Sequence, residues 1–210
     1  EYVVMTYNEA VLSAQFAVTG VYDNTNVTVT PSNDLQGGHA AGAPYVFTLN
    51  RGEGILLKQL SSGTNGGLAG TLVSADKPFS MTNGNGCTQV PIGTGYCDTL
   101  MEVAQPVQSW GKEVLVMNVP NRPEGSFYRI LASQDATEVL QDGVSAGTIN
   151  RGQYLEVGPL PDNHVFSSTN PIFVDQFITG SSYPGASSGD PAMANFGPTE
   201  QYLNAYTFAT

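Results

Sequence analysis

Cys87–Trp110, CTQVPIGTGYCDTLMEVAQPVQSW, lies near the middle of the chain and holds both cysteines and the only tryptophan. It separates two halves that read as copies of one another, and this duplication decides the fold. Setting EYVVM (1–5) on EVLVM (113–117), an offset of 112, brings Val18 onto Ile130, Asp23 onto Asp135, Thr25 onto Thr137 and Val27 onto Val139 without a gap. TLNRG (48–52) then falls on TINRG (148–152), an offset of 100, so the first copy carries a longer loop around SNDLQGGHAAGA (32–43). SADKP (74–78) matches SSTNP (167–171), each followed by an apolar run. The second half of the opening stretch repeats as well. At an offset of 92, Asp98, Met101, Pro106 and Trp110 fall on Asp190, Met193, Pro198 and Tyr202. The strand opening each copy then occurs a third time, as AYTFA (205–209).

Within a copy the signals are those of short strands. Val27 and Val29 alternate with Thr28 and Thr30, which places the valines on one face of a strand and the threonines on the other. In the second copy FYRILAS, TEVLQ, SAGTIN, QYLEVG, HVFSS and PIFVDQFI are separated by Asp-Gly, Arg-Gly and Thr-Asn-Pro turns. The expected fold is all-β: two tandem, sequence-related antiparallel sandwich-like lobes, residues 1–112 and 113–210, with very little helix. One or two helical turns are expected at Asp98–Glu102 and Asp190–Met193, where Asp would act as N-cap and Pro191 would occupy the first turn.

Only 12% of residues are charged, against roughly 25% in an average globular protein. A net charge of −11 with 7 basic residues argues against nucleic acid, whose phosphates require clustered Lys and Arg. No apolar run approaches the roughly 18–20 residues of a membrane span. Low charge with abundant Thr, Ser and Asn reads as a secreted or cell-surface β-protein. A chain opening on Glu1 within an apolar stretch reads as a piece of something longer.

Cys87 and Cys97 enclose Pro91, Gly93 and Gly95. In an extracellular-looking chain this spacing is read as a disulfide, and Gln89, Ile92 and Tyr96 are the residues such a stapled loop would present to a partner. His39, in the first-copy insertion Leu35–Ala43, and Tyr183, in the loop Ser181–Ser188, are further candidate contacts. Asp98, Glu102, Asp190 and Glu200 are hard oxygen ligands that would suit Ca²⁺ if they converged; no other cofactor is expected. Trp110 and Tyr202 are expected to pack, and Arg51 and Arg151 to bond turn carbonyls. The chain contains no HExxH pair, Walker loop or dinucleotide fingerprint.

The DNTNVTVTP strand, the TLNRGE turn, LAGTLVSADKP, the Cys87–Cys97 loop running into CDTLMEVAQPVQSWGKE, YRILASQDAT, and GDPAM with EQYLNAYTF together resemble the bacterial and animal family named for the IgG-Fc-binding protein, specifically its N-terminal domain. Family members often carry His after the Cys-Asp pair, where this chain has Thr99. The resemblance implies an extracellular adhesion or binding role with no catalytic residues to carry over. The leading expectation is therefore a noncatalytic module of a larger surface protein that binds a glycan or protein through its loops, with assembly through the parent protein. The alternatives are a carbohydrate-active enzyme using Asp98 and Asp190 and a structural segment of a fibre.

Overall fold

The computed structural model describes residues 1–60, 67–186 and 188–207. It is almost entirely antiparallel β. Among the described residues eight strands form the first half: β1 (Tyr2–Val3), β2 (Leu12–Gly20), β3 (Thr25–Thr30), β4 (Tyr45–Leu49), β5 (Gly54–Lys58), β6 (Leu72–Ala75), β7 (Phe79–Thr88) and β8 (Asp98–Val103). They pair as two four-stranded sheets, β1-β6-β3-β4 and β5-β2-β7-β8. The second half contains β9 (Gly111–Val116), β10 (Ser126–Ala132), β11 (Thr137–Gln141), β12 (Val144–Ile149), β13 (Tyr154–Leu160), β14 (His164–Ile178) and β15 (Ala192–Phe196). These seven form one sheet because β14 is continuous: its first part pairs with β9 and β11, and its second with β10 and β15.

The pairings of the two halves fall on one another at the offsets found in the sequence. Tyr2 opposes Val73 as Val114 opposes Phe166. Ala17 lies between Leu56 and Thr82 as Arg129 lies between Glu156 and Asp175. Thr82 opposes Val103 as Asp175 opposes Asn195. β14 is thus the counterpart of β6 and β7 run together, with a register shift between Ser167 and Ile172 where the first half breaks its strand at Asp76–Pro78.

The recurrent turn residues have matching physical jobs. Asn24 and Ala136 sit at φ 54° and 51°, and Gly52 and Gly152 at 77° and 81°. The Asn50 side chain accepts the Asn24 N–H, and Asn150 accepts that of Ala136. Asp23 and Asp135 accept the backbone N–H of Arg51 and Arg151. It is therefore the arginines' main chain that builds these turns, not their guanidinium groups as expected.

Two expectations on local structure are corrected. Asp98–Val103 and Ala192–Phe196 are strands, not helical turns. Leu100 is buried while Thr99, Met101 and Val103 are not, a two-residue period that a neighbouring strand rewards more than an N-cap rewards a single turn. The helical turns lie further on, at Val107–Ser109 and Thr199–Gln201, each entered through a proline. Ala205–Thr207 is not strand, and the remainder of that expected strand, Phe208–Ala209, lies outside the described residues.

Among the described residues three apolar cores result. One lies within the first half, around Phe16, Val18, Val27, Leu35 and Met81; another lies within the second, around Tyr128, Ile130, Val139, Phe166 and Val174. The third joins them: Val3, Met5, Tyr7, Ala69 and Trp110 pack on Leu131, Phe173, Phe177 and Met193. At this seam the N-terminal segment is held by side-chain amides, with Asn83 and Asn85 accepting the Met5 and Tyr7 N–H groups. Arg129, 1% exposed, reaches across it. Its guanidinium donates to Glu156 (2.7 Å), the Thr6 carbonyl (2.6 Å) and Asn8 Oδ1 (2.7 Å), and lies over the rings of Tyr7 and Tyr154.

Candidate binding surface

Cys87, at the end of β7, and Cys97, just before β8, form a disulfide with Cα atoms 5.3 Å apart. The loop between them is braced internally. Gln89 Oε1 accepts the Gly93 N–H, and Thr94 donates from both its N–H and its hydroxyl to the Pro91 carbonyl. Val90 is buried in the seam core, and its carbonyl accepts the Gly180 N–H. Ser182 donates its hydroxyl to the Gly95 carbonyl at 2.7 Å. The stapled loop therefore rests on the loop Gly180–Gly189, the apposition of two of the three predicted contact segments. Ser187 lies outside the described residues.

Tyr96 alone among the predicted contacts stands free, 70% exposed at φ 63° on this braced frame. Ile92 is half-buried and packs on the seam core. Gln89 is spent on holding its own loop, and Tyr183 is half-buried edge-on to Phe127. His39 lies apart in the first lobe, stacked on Tyr45 at 3.8 Å between ring centroids. It borders a shallow hollow of about 130 Å³ with Leu35 and Leu60. Val11 and Leu12, not singled out from the sequence, are 57% and 56% exposed and flank the staple, since Leu12 opposes Cys87 and Val11 N–H bonds to its carbonyl. Leu12 is in phase with the buried Ala14, Phe16 and Val18, so the alternation of β2 gives no signal of its exposure.

Of the predicted metal ligands, Asp98 accepts the Thr99 N–H, Glu102 takes Asn195 Nδ2 at 3.3 Å, and Glu200 accepts the Lys112 N–H at 2.6 Å. Asp190 is exposed. Among the described residues no group of three or more His, Cys, Asp or Glu side chains is placed to hold a metal ion. Asp98, Glu102 and Glu200 are thus engaged in strand and turn contacts.

The structure adds an acid that composition did not flag. Asp175 is fully buried on β14, with neither carboxylate oxygen hydrogen-bonded among the described residues. Burial pushes its carboxyl well above the ordinary carboxylate range, and the Glu102 charge pushes the same way. Glu102 is itself raised by burial. A carboxyl raised in the folded state binds its proton more tightly there than when unfolded, so it costs stability at neutral pH and the cost falls as pH drops. Thermal stability is accordingly expected to rise as pH falls from neutrality and to level off near the ordinary carboxylate range. Asp175→Asn, which cannot ionise, should raise stability at neutral pH and flatten that slope; an unchanged slope would show that Asp175 does not govern it.

Cutting the staple gives a second measurable effect. Closing an eleven-residue loop, Cys87 to Cys97, contributes about 2–3 kcal/mol by chain entropy. The Cys87→Ser/Cys97→Ser variant is expected to lose that amount in urea unfolding, with amide exchange accelerated in residues 89–96 and unchanged in β11 and β12.

A family model described as IgGFc binding protein matches residues 1–210, the whole chain. No curated protein and no solved structure matches it. Among the described residues no helix is long and apolar enough to cross a membrane.

Proposed function

The chain belongs to the IgGFc binding protein family, and on that premise we propose that it is a noncatalytic, extracellular protein-binding module of a larger surface protein, with the stapled loop as its contact surface. The family's description is that of a binding protein, and family and disulfide both fit an oxidising, extracellular location. One observation carries the choice of surface. Tyr96 projects from a loop that is cross-linked, internally hydrogen-bonded and seated on a second loop, and Val11 and Leu12 lie exposed beside it. A large aromatic on a preorganised frame with apolar neighbours is what a protein hot spot requires, because little conformational entropy remains to be lost on binding.

The test uses immobilised IgG Fc and an array of secreted proteins as probes. Capture of at least one by the wild-type chain, weakened more than tenfold by Tyr96→Ala and by Leu12→Asp at unchanged circular dichroism, is the expected result. Capture that survives both substitutions would move the contact elsewhere, and a blank array would remove the protein-binding reading.

A further inference from the structure

The seam between the lobes uses two different faces. The first lobe offers Val3, Met5, Leu72 and Trp110; the second offers the outer face of β13-β10-β14-β15, with Phe177, Met193 and Arg129. At the internal offsets each of these faces has a counterpart on the other lobe, and there it is uncovered. Leu115, Met117, Val165 and Tyr202 stand where Val3, Met5, Leu72 and Trp110 stand in the first lobe. Met5 is 0% and Trp110 7% exposed, whereas Met117 is 63% and Tyr202 50% exposed. Together with Asn163 and Phe196 they line a groove of about 450 Å³. On the first lobe, Met101, Leu56 and Val103 hold the places of Met193, Glu156 and Asn195. Met101 is 68% exposed against 7% for Met193. Gly84 stands where Phe177 does, at a hollow of about 120 Å³.

Charge repeats the pattern. An ion pair between Arg151 and Glu1 links the two lobes. Their counterparts are Arg51 and Glu113, of the same residue types and both exposed. The molecule therefore carries, one on each lobe, the two unfilled halves of an interface that it already forms once internally.

We propose that a second copy of this chain docks the outer face of β5-β2-β7-β8 into the second-lobe groove, repeating between chains the seam that joins the lobes within one. Such a contact is heterologous, with different faces meeting head to tail, so it does not close at a dimer and extends into a stack. Several departures make it weaker than the internal seam: Thr19, Ser80 and Gly84 stand where Leu131, Phe173 and Phe177 pack. Ala17 replaces the Arg129 clamp, and Asn163 replaces Gly70, at which a Cβ would meet the Gly152 carbonyl oxygen at 2.1 Å. The net charge of −11 opposes self-association, so screening salt favours it.

Analytical ultracentrifugation of the wild-type chain over a wide concentration range, at physiological and at higher salt, tests this. Mean mass should rise with concentration past that of a dimer. A groove-blocked variant, Met117→Glu/Tyr202→Asp, and a sheet-blocked variant, Leu56→Glu/Met101→Glu, should each remain monomeric alone. Mixed one to one they should form a dimer and stop there, since each retains the face the other lacks. A wild type that stays monomeric throughout, a blocked variant that dimerises alone, or a mixture that does not associate would each overturn the proposal. All four substituted side chains are exposed, so circular dichroism should be unchanged.

Discussion

Arg129→Met is expected to lower unfolding stability by about 3 kcal/mol and to broaden or split the urea transition. Methionine refills much of the apolar volume beneath Tyr7, Tyr154 and Phe177, so the loss is chiefly polar. The Thr6 carbonyl and Asn8 Oδ1 lose charge-assisted donors at 2.6 and 2.7 Å, bonds worth about 1.5–3 kcal/mol each when one partner is charged. Glu156 loses its partner too, but its side chain is 33% exposed, and rehydration offsets part of that loss. This places the total near the lower end of the roughly 3–5 kcal/mol found for broken buried pairs. The transition broadens because these bonds tie the N-terminal segment to the second lobe, and without them the lobes unfold less cooperatively. Arg129→Lys should rescue little, since one ammonium cannot span three acceptors as a guanidinium fork does. A single sharp transition within 1 kcal/mol of wild type would show that the apolar seam alone couples the lobes.

Trp110→Ala is expected to cost about 3–5 kcal/mol, the range for emptying a buried indole site. Trp110 is stacked on Phe173 at 5.6 Å and donates its Nε1–H to the Gln105 carbonyl. Trp110→Phe keeps the stack and should lose only about 1–2 kcal/mol, for the missing hydrogen bond and the smaller ring. Tyr202→Ala supplies the control. Tyr202 follows Thr199–Gln201 as Trp110 follows Val107–Ser109, with its N–H bonded to the Thr199 carbonyl as that of Trp110 is to Val107. Being half exposed, it should cost no more than about 0.5 kcal/mol at concentrations where chains do not associate. Equal losses at the two positions would show that backbone geometry, rather than burial, sets the value of this aromatic.

Much of the fold was legible because its determinants are local. The alternation of Val27 and Val29 with Thr28 and Thr30 orients β3, and the Asp23, Asn50 and Gly52 set recurs as Asp135, Asn150 and Gly152 because both turns bond the same way. The strands β8 and β15 were misread where local and tertiary preferences compete. An aspartate before a short apolar run suits a helix cap, but β7 and β14 offered edges to pair. Of the proposed contact surface, the staple and Tyr96 are visible as Cys spacing and a glycine-rich loop. Ile92 was not separable from its neighbours, since nothing in VPIGTGY tells which apolar side chain turns inward.

What the sequence determined by itself is the alphabet of this protein: short strands, their turns, the staple and the matching order of elements in its two halves. These follow from backbone sterics, side-chain period and covalent chemistry within a few residues. Only the tertiary structure decided which of two equivalent positions is buried. Trp110 and Tyr202, Met5 and Met117, and Met193 and Met101 occupy matching places, yet one of each pair lies in the seam and the other faces solvent. Burial belongs to a pair of surfaces rather than to a residue, and the sequence of one surface does not state whether the other is present.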